Sequence, residues 1–257
     1  MATPGVLSPP VIPGLHLQVT LSDMNKSGAI YNTLPDDKDQ PQVAEVSIIA
    51  LKTLLKQYNV QNKFGLHLIH GHMEMAKGMV MVGKPMHNLP GLWTRPTKAD
   101  LLDLGAVYGY VFVLTDGEFH PYEFRQGPPP PMTANDNAFI AAAQKYLEIN
   151  NLADIIGIEL LDQDRLGKHM KEFVLSDTDG TVMLPADQVN PTEIYRTTGW
   201  NAVEGTIDLK GNETSHAKTT KGTHQVFTDG KALPDVGVDL DAEEVIVEGL
   251  REAGIVN

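Results

Sequence analysis

No cysteine occurs among the 257 residues, so a disulfide framework, a thiolate metal site and a cysteine nucleophile are all excluded. Basic side chains are scarce, 20 against 33 acidic ones, for a net charge of −13. That balance repels phosphate backbones, and no basic cluster interleaves with aromatics, so a nucleic-acid partner is not expected. No run of about 18 apolar residues occurs, so no membrane-spanning helix and no membrane partner are expected. Residues 1–13 are Pro-rich, with no basic segment leading into an apolar one, and do not read as a secretory signal. A cytoplasmic protein is therefore the expectation. Several catalytic signatures are missing too: the phosphate-cradling GxxxxGK[ST], the dinucleotide GxGxxG, the nucleophile elbow GxSxG and the zinc helix HExxH.

What is present is histidine at one place. The stretch FGLHLIHGHMEM, residues 64–75, holds three of the nine histidines. Read as one strand, it places Leu66, Leu68, His70, His72 and Glu74 on one face, because side chains alternate. His67 falls on the other face and reads as structural. Imidazoles two apart on a strand have Cα atoms about 7 Å apart and can converge on one ion. His70 and His72 are therefore the first candidate metal ligands. His120, in FHPYEF, is the third, with Glu74 or Glu123 as possible carboxylates. Glu74 is also a candidate general base, and Tyr122 a candidate proton donor. Two histidines and a carboxylate suit Fe(II) with open positions, and three histidines suit Zn(II), Cu(II) or Fe(II). His16, His169, His216 and His224 read as exposed or incidental.

Along the chain, residues 1–13 read as an extended arm. Residues 15–21 alternate as a half-buried strand with Leu15, Leu17, Val19 and Leu21 inward. Residues 23–40 read as a loop. An amphipathic helix follows from Pro41 to Tyr58, with Val43, Val46, Ile49, Ala50 and Leu54 on its apolar stripe. Residues 78–83 are a further strand. Residues 84–96, with three prolines, read as a loop. A hairpin spans 107–114 and 118–125 around Asp116-Gly117. Residues 127–134 form a Pro-rich connector, and 135–150 a helix carrying Phe139, Ala142, Ala143, Tyr146 and Leu147 toward the core. Strands are expected at 155–161, 171–175, 181–184 and within 199–210, a mobile loop at 211–222, and a helix at 241–253. The pattern predicts one α+β domain with an antiparallel-rich mixed sheet, open or barrel-like, and about three helices packed on it.

The HxHxE strand is similar to the ligand strand of cupin-type barrels, where paired histidines and a carboxylate hold Fe, Mn, Zn or Ni. The cupin pattern has three or four residues between its second histidine and the glutamate, against one here, so the likeness is partial. FGLHLIHGH after an amphipathic helix, with EFHPYEF downstream and a late GTVMLP, also resembles a group of uncharacterised soluble proteins from filamentous fungi. That resemblance implies no known activity of its own and makes a cytosolic accessory enzyme of secondary metabolism the expectation. The sequence thus leads to a metal-dependent enzyme acting on a small organic molecule by Lewis-acid or oxygen chemistry, with a divalent transition metal (Fe, Zn or Cu) as cofactor. A metal-free small-molecule binding protein, or a protein–protein module using the 127–132 prolines, remains as the alternative.

Overall fold

The computed structural model describes residues 11–163, 166–175, 180–191, 193–203, 214–217, 225–226 and 240–257. Residues 1–10 of the expected arm, 204–210 of the expected late strand, 211–213 and 218–222 of the expected loop, and His224 lie outside them.

Among the described residues, four helices surround one mixed sheet. Helices are α1 (Leu21–Tyr31), α2 (Glu45–Gln57), α3 (Ala134–Ile149) and α4 (Leu240–Glu252). Strands are β1 (Phe64–Leu68), β2 (Met79–Pro85), β3 (Leu92–Lys98), β4 (Val107–Thr115), β5 (Glu118–Gln126) and β6 (Ile156–Leu160). They continue with β7 (Met170–Leu175), β8 (Thr181–Pro185), β9 (Ile194–Thr197), β10 (Gly199–Trp200), β11 (Thr214–Ala217) and β12 (Gln225–Val226). The order is β10-β1-β6-β4-β5-β2-β3-β8-β7-β11-β9, with β12 paired to β7. Pairs β2–β5, β7–β11 and β7–β12 are parallel and the others antiparallel. The expected α+β fold with a barrel-like sheet is what forms.

The seam that nearly closes this sheet is a single extended segment. The order begins at β10 and ends at β9, and only Thr198 separates the two. Thr198 is fully buried; its N–H donates to the Thr214 carbonyl at 3.0 Å and its own carbonyl accepts from Leu68 N at 2.7 Å. Half of the segment pairs with β11 and half with β1, which removes most of the exposed edge. Gly199 permits the approach, since a Cβ there would lie 3.1 Å from Thr214.

Apolar packing lies mainly outside the sheet. Phe64 and Leu66 of β1 meet Leu51 and Leu55 of α2 and Phe139 of α3, the Phe64 and Phe139 rings standing 5.3 Å apart. Trp93, Phe173 and Val182 meet Ile246 and Leu250 of α4, and Val80, Val82 and Phe124 meet Met24 of α1. Residues directly opposed in neighbouring strands share a face, so the other face can be followed inside. Glu123 opposes Met81 and Val111, Val111 opposes Glu159, and Glu159 opposes Gly65. Next along β1, His67 opposes Gly157 and Gly199. On the other side, Gly83 opposes Arg125 and Thr94, and Glu172 opposes Met183 and His216. The interior sets titratable groups among a few apolar ones, Met81, Val111 and Met183.

Several expectations are corrected. Residues 15–21 are not a strand: Leu17 and Leu21 are exposed, and Thr20 instead caps α1. A capping box between Thr20 and Asp23 starts that helix at Leu21, the last residue of the expected strand, and the helix runs on into the stretch expected as loop. The buried face of α2 is Ile48, Leu51 and Leu55, and Val46 is 71% exposed, so the stripe is rotated from the one expected. The three prolines of 84–96 do not prevent β3. Pro96 lies past the three residues that pair with β8, where the strand has one neighbour, and Pro90 sits in the connection. The strand expected over 64–75 ends at Leu68, for reasons given below. Thr214–Ala217, inside the expected mobile loop, is β11. The hairpin, α3 and α4 form where expected, and Asp116 and Gly117 take the positive φ values of 53° and 76° that a tight hairpin turn needs.

Candidate metal centre

The chain leaves the sheet after Leu68 because its donors are taken elsewhere. Ile69 N still bonds Ile155 O at 2.9 Å, but Gly71 N turns to Pro35 O at 2.9 Å and His72 N to the Tyr31 hydroxyl at 3.2 Å. Asn32, the residue that ends α1, clasps Met75 through both its side-chain oxygen and its amide, each at 2.8 Å. The C-terminal end of α1 thereby folds residues 70–75 back over the barrel seam. His70 and His72 swing inward, and Glu74 remains exposed.

Four side chains converge there. His70, His72, Glu172 and His216 each offer a donor atom, all within 4.8 Å of one another. Glu172 Oε2 is 3.1 Å from His216 Nε2, and Glu172 Oε1 is 3.6 Å from His72 Nε2. Those spacings are close to the edges of a coordination polyhedron with bonds of about 2.0–2.2 Å. The group could hold a metal ion, and three imidazoles with one carboxylate are a donor set for Zn, Fe, Cu or Ni.

The supporting contacts orient these ligands. His70 Nδ1 lies 2.6 Å from the Leu68 carbonyl, which calls for the proton there and leaves Nε2 as the donor. His216 Nδ1 lies 3.0 Å from Asp37 Oδ2, both groups being fully buried. A carboxylate behind a histidine fixes its tautomer and ring plane and raises its basicity as a ligand. Asp37 is itself held in place from the seam: Arg196 of β9 donates to the carbonyls of Asp37, Gln40 (2.8 Å) and Pro41 (2.7 Å). Gln40 in turn donates to Ile69 O at 2.5 Å and Asp154 O at 2.9 Å.

Electrostatics follow from burial and this pairing. Desolvation, then the neighbouring His72 and His216, holds the His70 imidazolium well below the usual histidine range, so His70 is neutral. Burial would also disfavour His216⁺, but Asp37 and Glu172 outweigh it and raise the group to about 9. Burial would raise Glu172; hydrogen bonds from His216 and His72 instead hold it well below the carboxylate range. Without a cation, His216 donates at both nitrogens and supplies the positive charge.

The sequence-derived candidates fare unequally. His70 and His72 meet in the cluster. His67, read from strand alternation as a structural residue of the opposite face, stacks on His70 with ring centroids 5.2 Å apart and 11° between planes. Its Nδ1 is 3.4 Å from Glu159 Oε2. His120 is not in the cluster; its Nε2 lies 3.0 Å from Lys26 Nζ of α1, and a nitrogen facing an ammonium is poorly placed to bind a cation. Glu74 is not in it either. Tyr122 is fully buried, its ring 6.4 Å from those of His67 and Tyr31, and its hydroxyl has no hydrogen-bond partner. Desolvation, then Glu123 and Glu159, raises it well above the usual tyrosine range, so it keeps its proton.

Glu172 and His216 escaped sequence reasoning. The signal for Glu172 was a carboxylate in the otherwise inward series Met170, Glu172, Val174 of an apolar strand, since an unpaired buried charge is rare. His216 sits in the short polar segment TSHA, which carries no period to read.

Among the described residues, no helix is long and apolar enough to cross a membrane. No family model, no curated protein and no solved structure matches this chain.

Proposed function

We propose that this protein is a metal-dependent enzyme acting on a small organic molecule, with one divalent transition metal held by His70, His72, His216 and Glu172. The observation that carries the reading is the orientation of two of the histidines: a backbone carbonyl behind His70 and a buried carboxylate behind His216. A merely structural polar cluster has no need for donor atoms aimed at one point. A metal bound there supplies Lewis-acid or oxygen chemistry. The chain's own part is to hold the ligands, to exclude bulk water from a buried interior and to keep a protonated phenol, Tyr122, with its ring 6.4 Å from that of His67. The fungal resemblance of the sequence supports secondary metabolism as the setting.

One observation favours a second reading, a metal-free binding protein. His216 is already balanced between two carboxylates, so the cluster is satisfied without a cation. Turnover separates the two. Fe-, Zn- and Cu-loaded protein is incubated with a library of small organic molecules and substrate loss is followed by mass spectrometry. Loss that requires metal and disappears in Glu172→Gln supports the enzyme. Loss that persists after chelation contradicts metal dependence, and stoichiometric capture without conversion supports the binding protein.

A further inference from the structure

Arg125 of β5 stands apart from the metal cluster and is unusually placed for a guanidinium. Its side chain is 5% exposed, and Nε and Nη2 are buried without a hydrogen-bond partner. Its Cζ lies over the Tyr110 ring, 3.7 Å from the centroid. Across the parallel pair, Gly83 leaves the space the side chain occupies, since a Cβ there would lie 3.1 Å from Cδ and 3.2 Å from Nε. Asp162 is the counter-charge, 3.3 Å from Nη2 and itself partly exposed. Burying a guanidinium and leaving its donors unmade is costly, so a native site of this kind calls for a ligand that completes it.

Its counter-charge borders a cleft. That cleft, of about 790 Å³, is lined by Asp162 together with Tyr108, Leu161, Gln163, Lys63 and Asp136, and Arg125 lies behind Asp162, outside the lining. Asp162 belongs both to the cleft wall and to the Arg125 ion pair, so a ligand entering there meets the one carboxylate that it must displace. A planar guanidinium fork held over an aromatic ring matches a carboxylate, which can take two parallel N–H bonds. In a chain of net charge −13, such a site draws an anion by local geometry, since the overall field opposes it.

We propose that Arg125 is the recognition site for the carboxylate of a small organic acid, admitted through the cleft at Asp162. The inference does not rest on the metal reading, and its test uses chelator-treated full-length protein so that the two stand or fall separately. Calorimetric titrations with succinate, acetate and inorganic phosphate are made in low-chloride buffer. Saturable binding of succinate or acetate at one site is expected, weakened at least about tenfold in Arg125→Gln and strengthened in Asp162→Asn, where the competing carboxylate is gone. Gly83→Ala, whose added methyl presses on Nε, also weakens binding and serves if Arg125→Gln does not fold. Absence of carboxylate binding by both the wild-type protein and Asp162→Asn overturns the proposal. So does unchanged binding in Arg125→Gln, or in Gly83→Ala where that variant stands in for it, and so does binding of phosphate alone.

Discussion

Glu172 and His216 stand directly opposite each other across the parallel β7–β11 pair, Oε2 to Nε2 at 3.1 Å. Register, therefore, and no sequence motif, brings the carboxylate and the third imidazole together. His216 lies on β11, the strand that pairs with the first half of the segment 194–200 where the sheet nearly closes, so the cluster depends on that segment.

Asp37 tests the supporting contacts. Asp37→Asn keeps an acceptor opposite His216 Nδ1 but removes the charge that strengthens the imidazole as a ligand. Metal affinity is expected to fall about 10–100-fold, measured by competition with a chromophoric chelator. Unchanged affinity would mean that Asp37 only fills space.

Glu74 and His120 test the boundary of the centre. Glu74 is exposed, and His120 contacts Lys26. Glu74→Gln and His120→Ala are expected to bind metal with the stoichiometry of the wild type, read by elemental analysis. Loss of metal in either variant would restore the ligand set read from the sequence.

The part of the centre legible in the sequence was the part that is local. HxH announced two members of the cluster because they are two residues apart, and the Asp116-Gly117 turn announced its hairpin. Their surroundings depended on long-range competition for hydrogen bonds. Alternation assigned His67 to the far face because it assumed that the strand ran on, whereas Pro35, Tyr31 and Asn32 take the backbone groups from residue 71 onward. The Thr20–Asp23 capping box was a readable start signal, hidden where the alternating pattern of residues 15–21 meets a stretch whose Gly and Asn content suggested loop. Prolines obscured β3, because a strand with one neighbour along part of its length tolerates them.

Glu123 gives a pH signature. It faces the polar interior, and desolvation, with Glu172 adding to it, pushes its carboxyl up from 4.5 to about 7. A raised folded-state value means that the unfolded chain ionises first. The contribution to stability is intact below pH 4.5 and is lost as pH rises through about 7. Glu123→Gln is therefore expected to match the wild type at pH 4 and to exceed it by about 1–2 kcal/mol at pH 8, discounted for partial exposure. Urea unfolding at the two values measures this, and a variant less stable at pH 8 would contradict it.

The most direct measurement is the metal content of protein purified without a histidine tag, beside a His70→Ala, His72→Ala double variant and a His216→Ala variant. About one equivalent of a single transition metal in the wild type, and none in either variant, is the result expected from four converging ligands. No metal in the wild type, as purified and after repletion with Fe, Zn and Cu, would contradict the account.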